Sequence, residues 1–463
     1  MSKKSASLLL LSLFSSSLLT ACGPSPTTTG LSQSLTTGSM ASYSYGSGDT
    51  AHRSMPMPRA SATPAPSSAP TAAPTSAPSS APDSEPLPAA SALPSETSSA
   101  LPSAAASAPP DAIQARSGLL TAGSWRDLDH WDFWLSLTRK AEWREQLTQW
   151  QLYPTQRVPV LLRQGGQPWV DQPVQLKDTQ GNLIAEARTN QAGAADFFVH
   201  LDGQNRSTEY QVMVPGMGLI MTDVQSQQGQ FRAYTLNREA EPQIAPNQVD
   251  LMLSIDTTGS MGDELEYLKI ELKNVLERVQ RSQAQLNLRV STNFYRDQGD
   301  EYLVKPFPFS SDFNQVQNQL LAQRAGGGGD FPEDVNAALK DAIQQHEWSA
   351  SARARLLFLV LDAPPHRSES NLRQLKELLN SATRQGIRII PIASSGVDKD
   401  TEFLMRMLAI STGGEYVFLT DDSGVGTAQG HIEPTIGAHK VEKLNDLMVN
   451  LVEKYTRIQA LNS

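Results

Sequence analysis

Hydrophobic patterning predicts a doubly wound α/β domain with a mostly parallel sheet over residues 247–457, preceded by a small all-β sandwich and a disordered N-terminal tether. Three observations carry that reading. Residues 356–361 are six apolar residues in a row, as expected of a parallel strand covered on both faces, and the run ends at Asp362. Between such runs lie stretches with helical spacing, such as Leu265, Leu268, Leu272, Val275 and Val279. Far upstream, 14 of the 30 prolines fall within residues 51–110, where large apolar residues are scarce and no core can form.

The N-terminus reads as an address. Lys3 and Lys4 precede an apolar run at residues 8–19 that is too short to span a bilayer as a stable helix, the pattern of a secretory signal peptide. Leu19-Thr20-Ala21-Cys22 resembles a bacterial lipobox. That resemblance implies cleavage before Cys22 and lipidation of this residue, the single cysteine of the 463-residue chain. A chance cysteine after an ordinary cleavage site is the competing reading. Acyl chains contribute ~0.8 kcal/mol per buried CH₂, so multiple acylation would hold the protein at a membrane without a spanning helix. Gly23 stands where Gram-negative lipoproteins retained at the inner membrane carry aspartate. The expected location is therefore the cell envelope, at the outer membrane in a Gram-negative host, on either its periplasmic or its outer side. Residues 23–112 are rich in Ser, Ala, Pro and Thr and read as a disordered linker. At ~3.1 Å per residue in polyproline II it could reach on the order of 280 Å.

Composition narrows the chemistry. One cysteine excludes internal disulfides and cysteine-based zinc or iron–sulfur sites, and a net charge of −10 argues against a binder that neutralises nucleic-acid phosphates.

Residues 113–150 hold five of the seven tryptophans, at Trp125, Trp131, Trp134, Trp143 and Trp150. Their spacing predicts a mostly helical stretch that begins at Gly123-Ser124, with the aromatic stripe as core. Residues 151–246 contain seven short β-rich runs, at 158–162, 173–176, 183–187, 195–199, 210–214, 219–224 and 231–236, separated by turn signals. Val174, Leu176, Asp178, Gly181, Ala187, Thr189, Asn190, Gly193, Ala195 and Phe197 occur in an order that resembles Ig-like or carboxypeptidase-regulatory-like modules. Such modules space and support their neighbours.

Beyond residue 247 the alternation continues. Residues 249–255 form a run that is apolar except for Asp250 and Ser254 and ends at Asp256; residues 387–392 and 416–419 read as strands, and 403–410 and 441–452 as helices. Gly386 is placed to cap the helix marked by Leu372, Leu375 and Leu379. Ligands of such sheets sit beyond the carboxyl ends of the strands, where both Asp256 and Asp362 fall.

Asp256-Thr257-Thr258-Gly259-Ser260 puts one carboxylate and two hydroxyls in a tight loop before a helix, a hard-oxygen set suited to Mg²⁺, with Ca²⁺ or Mn²⁺ compatible. This loop resembles the metal-ion-dependent adhesion site of von Willebrand factor A (VWA) domains, with Thr258 in place of the usual serine. In that family a later loop supplies a threonine and strand four an aspartate. Gly326-Gly327-Gly328-Gly329-Asp330-Phe331-Pro332-Glu333 matches one version of the middle loop, with Asp330 near the threonine position, and Asp362 matches the strand-four aspartate. The resemblance implies a metal set of Asp256, Thr258, Ser260, Asp330 and Asp362. It also implies a protein ligand bound at that face. An aspartate at position 330 would add charge beside the ion and make capture of an acidic ligand less favourable. Tyr295-Arg296-Asp297 and Asp362-Ala363-Pro364-Pro365-His366 are similar to A-domains attached to alpha-kinases, but no kinase segment is present. Residues 120–129 are similar to a short signature found ahead of the β-domain in some bacterial VWA proteins.

Rival readings use the same residues. Thr258-Gly259-Ser260-Met261-Gly262 approaches a nucleophile elbow, and Ser260, Asp362 and His431 or His439 follow the chain order of α/β-hydrolases. The first glycine of that motif is missing, and Asp256 and Thr258 would have no role. The four-glycine run lacks the Lys-Ser/Thr of a phosphate-binding loop. Asp297, Asp300 and Glu301 read as a solvated loop that could add acidity at the same edge, and His366 as a loop residue. The expectation is a lipid-anchored, non-enzymatic envelope protein whose VWA domain binds a divalent cation and a protein partner. An envelope hydrolase using Ser260 and a scaffold with an inert metal stand as alternatives.

Overall fold

The computed structural model describes residues 117–458 apart from 205–206, 228–231 and 426–429. The signal segment with Cys22 and the Ser/Ala/Pro-rich stretch to residue 112 lie outside the described residues. Strand β1 (Thr121–Trp125) is followed by helices α1 (Trp131–Leu137) and α2 (Ala141–Trp150). Strands β2 (Arg157–Gln164), β3 (Gln167–Pro168), β4 (Pro173–Asp178), β5 (Leu183–Arg188), β6 (Ala194–Phe198), β7 (Glu209–Val214), β8 (Leu219–Gln225) and β9 (Tyr234–Arg238) come next. Then β10 (Gln248–Asp256), α3 (Gly262–Ser282), β11 (Asn287–Tyr295), β12 (Val304–Ser310), α4 (Phe313–Leu321) and α5 (Val335–Lys340) begin the larger part. It is completed by β13 (Ala354–Leu361), α6 (Glu369–Gln385), β14 (Ile387–Ala393), α7 (Lys399–Thr412), β15 (Tyr416–Thr420), β16 (Val441–Lys443) and α8 (Leu444–Thr456).

The large sheet has the order β12-β11-β10-β13-β14-β15-β1-β16. Its five middle strands from β11 to β15 pair in parallel, and β12 and β1 pair antiparallel on either side. Period-two alternation divides the apolar run of β13 between two layers. Leu357, Leu359 and Leu361 enter a cluster with α5, α6 and α7, whereas Leu356, Phe358 and Val360 enter one with α3, α4 and α8. The sheet is thus covered on both faces, which is why its strands read as unbroken apolar runs. Gly386 ends α6 in the left-handed conformation at φ 73°, as its spacing predicts.

Two local expectations are corrected. Gly123-Ser124 starts no helix; it lies inside β1, which inserts into the large sheet between β15 and β16. A Cβ at Gly123 would come within 2.4 Å of the Phe418 ring, so only glycine lets this strand close against β15. Residues 441–452 are not one helix, because Val441–Lys443 pairs with β1 before α8 starts. Trp134 and Trp143 of the same segment pack on α7, with ring centroids 6.0 and 5.5 Å from Phe403. Between them, fully buried Arg406 meets Asp127 at 3.0 Å through Nε and 2.5 Å through a terminal nitrogen.

Strands β2–β9 form two four-stranded sheets whose inward residues, among them Val160, Leu162, Phe197, Leu176 and Val212, share one buried cluster. This unit is tied to the amino end of β13. Asp171 accepts hydrogen bonds from Arg355 at 2.7 and 3.1 Å and from the Ala352 amide at 2.9 Å. The opposite end of β13, seven residues on at ~3.3 Å per residue, leads into Asp362.

Replacing Asp127 with alanine would leave Arg406 in a dry site with, among the described residues, only Glu402 at 3.5 Å as an acidic partner. Loss of a buried partner costs about 3–5 kcal/mol. Urea denaturation of Asp127→Ala should show a loss of that order, whereas a loss below about 1 kcal/mol would contradict the packing role assigned to this pair.

Candidate metal centre

The parallel register of β10 on β13 pairs Ile255 with Val360, so both strands deliver an aspartate to the same carboxyl-terminal edge. Asp256 is completely buried and Asp362 is 4% exposed. The loop after Asp256 is held from both sides. The Thr257 hydroxyl lies 2.9 Å from the Tyr295 carbonyl and 2.8 Å from the Tyr302 hydroxyl. Asp256 Oδ1 accepts from the Thr258 amide at 2.8 Å and from the Thr258 hydroxyl at 2.7 Å. That hydroxyl lies 3.2 Å from Ser260 Oγ, and Ser260 sits beside Asp362, where it favours the charged carboxylate. The chain turns into α3 at Gly262, so the loop faces the positive end of a long helix.

Among the described residues Asp256 Oδ2, Asp362 Oδ1 and Glu333 Oε2 are buried with no hydrogen bond of ordinary geometry, and the Tyr295 hydroxyl stands close enough to Asp256 to favour its charged form. A buried carboxylate oxygen without a partner is costly, and like charges at close range add to the cost. Burial, followed by the charge of Asp362, pushes the Asp256 carboxyl up to about 7. Burial likewise raises Asp362 to about 6. Burial, then Asp256, Asp297, Asp362 and Asp300, raise Glu333 to about 9. A divalent cation would satisfy the free oxygens and offset the repulsion, and carboxylate and hydroxyl oxygens suit Mg²⁺, Mn²⁺ or Ca²⁺. Among the described residues no three acids, imidazoles or thiols gather closely enough to form a metal site by themselves. The donor set that fits is therefore two carboxylates with hydroxyls, completed by water.

The glycine-rich loop packs directly on this turn. The Gly326 amide donates to the Thr257 carbonyl at 3.0 Å, and the Gly259 amide to the Gly327 carbonyl at 3.1 Å. Gly327 and Gly328 take φ of 80° and 70°. A Cβ on Gly327 would lie 2.4 Å from the Asp300 carboxylate, and one on Gly328 would lie 2.9 Å from Glu333 Oε1. Asp300 fastens the loop by accepting from the Gly328 amide at 2.9 Å. Asp297 pairs with His366 at 2.7 Å, so both belong to the structured edge rather than to a solvated loop.

Four of the sequence candidates, Asp256, Thr258, Ser260 and Asp362, come together. Asp330 does not join them; it is exposed on the glycine loop. The acid that this loop turns inward is Glu333, held by its amide to the Pro364 carbonyl at 3.0 Å and 3% exposed. Its position after Pro332 and next to Asp334, which caps α5, was the available signal. The histidines of the hydrolase alternative are engaged elsewhere. His431 lies 2.8 Å from both Glu264 and Asp421, and His439 packs edge-on against Phe418.

Residues 250–428 match the family model of the von Willebrand factor A domain. Over 122 residues, 26% of its length, the chain is 30% identical to the alpha-protein kinase vwkA of Dictyostelium discoideum. Over 190 residues, 37% of its length, it is 25% identical to a putative ariadne-like RING finger protein of Acanthamoeba polyphaga mimivirus. The chain spans 19% and 18% of these two relatives, so the likeness is confined to a part of each.

The raised carboxyls predict a pH dependence. A carboxyl whose folded value lies above its unfolded value keeps a proton that the unfolded chain releases, so folding binds protons. For Asp256, stability in the presence of chelator should fall as pH rises from 3.8 to about 7 and level off above. Melting curves in EDTA should show wild type losing ground to Asp256→Asn across that window. A constant difference between the two proteins would contradict the assignment.

Proposed function

Taking residues 250–428 as a von Willebrand factor A domain, we propose that it binds a divalent cation at Asp256, Thr258, Ser260 and Asp362 and presents that face to a protein partner. The observation that carries the reading is the pair of buried carboxylates, each with an oxygen lacking a partner, at one sheet edge. When bound, the cation would neutralise the pair and offer an open coordination position to a ligand or water. Asp256 and Asp362 would supply charge, Thr258 and Ser260 would orient them, and Glu333 would act through water. Asp297 and Asp300 add negative charge at the same edge. That surplus favours a neutral or basic ligand over capture of an acidic side chain.

The remaining parts fit a displayed binder. Cys22 would carry lipid, residues 23–112 would act as a tether, and the two-sheet unit, read as an Ig-like spacer, holds the A domain by the end of β13 remote from Asp362. Among the described residues no helix is long and apolar enough to cross a membrane. The proposed location is the cell envelope, at the outer membrane in a Gram-negative cell.

Two experiments test this. Pull-downs from envelope extract should retain a partner with wild type in Mg²⁺ and lose it with EDTA or Asp256→Ala. Retention of the same proteins under all conditions would select an inert scaffold instead. Separately, Cys22→Ala should move the protein from the membrane to the soluble fraction and abolish palmitate labelling. An unchanged distribution would remove the lipid anchor from the account.

A further inference from the structure

A second polar site lies far from the metal face. Between the two-sheet unit and the amino end of the large sheet is a small cleft of about 30 Å³, open to solvent. Three arginines line it: Arg188 from β5, Arg388 from β14 and Arg126 after β1. Arg388 is 7% exposed, and its hydrogen bond among the described residues is to the Gly386 carbonyl at 2.9 Å. The neighbouring acids are already engaged. Asp171 holds Arg355 at 2.7 Å and Arg188 at 3.1 Å, Asp196 holds Arg157 at 2.6 Å, and Asp129 pairs with Arg126. Cations exceed acids here in a chain whose net charge is −10. Ser411 also lines the cleft; it is 4% exposed, and its hydroxyl has no partner.

We propose that this cleft binds a small free oxyanion of the phosphate class, gripped by Arg388 with Arg126 and Arg188 and accepting a hydrogen bond from Ser411. A guanidinium in a dry setting is costly without an anion, and its planar fork suits tetrahedral oxyanions. Burial pulls the Arg388 value down to about 10, with Tyr455 and Asp171 opposing the shift and Arg355 and Arg126 adding to it. One alternative partner for Arg388 is the backbone. Helices α6 and α7 both end at this cleft, at Gly386 and Gly413, and each carboxyl end carries roughly half a negative charge. Capping of those ends gives Arg388 a role but leaves the Ser411 hydroxyl without one. The two accounts differ in what they predict for added phosphate.

The test uses the full chain in detergent with EDTA present, so that phosphate cannot act by removing a divalent ion. At 10 mM inorganic phosphate the melting temperature should rise by roughly 2–4 °C over sodium chloride of equal ionic strength. Arg388→Met should abolish that rise. Ser411→Ala, which keeps every guanidinium, should weaken phosphate affinity several-fold while leaving the melting temperature in chloride unchanged, and it serves if Arg388→Met fails to fold. No response in wild type, or the same response in wild type and Ser411→Ala, would overturn the proposal and leave Arg388 as a helix cap.

Discussion

The molecule is organised around two aspartates that parallel pairing delivers to one sheet edge and that the surrounding layers keep out of water. Because β10 and β13 are adjacent and in register, Asp256 and Asp362 are neighbours wherever the sheet is intact. Among the described residues no cationic side chain pairs with either of them. The loop hydroxyls occupy only part of their hydrogen-bonding capacity, and one oxygen of each is left without a partner. An arrangement of this kind is a liability in a purely structural role and an asset where a cation is to be held.

The rest of the fold secures that edge from behind. Glycines at 327 and 328 let the middle loop lie close enough to bring Glu333 inward, and Asp300 clamps the loop by its backbone. The tryptophan-rich segment, although distant in sequence, belongs to the same sheet through β1 and to the same core through Arg406 and Asp127. The two-sheet unit grips Arg355 at the other end of β13 through Asp171. One strand therefore connects the seat of the two-sheet unit to the edge that carries Asp362, so that edge is directed away from the seat.

Much of this was readable from residue order. The apolar run ending in Asp362, the hydroxyl-bearing loop after Asp256 and the helical spacing of α3 are dictated by burial on both faces and by one amphipathic stripe. Other parts left weaker traces. Strand β11 escapes a hydrophobic scan because Ser291, Thr292 and Asn293 are buried in it, each bonded to a group such as the Phe307 carbonyl or Asp341. Strand β1 is five residues centred on a glycine whose reason is the ring of Phe418, some three hundred positions later. The choice of Glu333 over Asp330 depends on backbone angles within a run of identical glycines, where the sequence carries no directional information. The excess cation at the domain seam arises only when strands from separate units meet.

The most direct test of the metal centre is anomalous diffraction from crystals of the protein soaked in Mn²⁺. The account predicts a peak in bonding contact with Asp256 and Ser260 and adjacent to Asp362, absent from Asp256→Ala crystals treated in the same way. A well-ordered edge with no peak there, while Mn²⁺ occupies other positions, would contradict it.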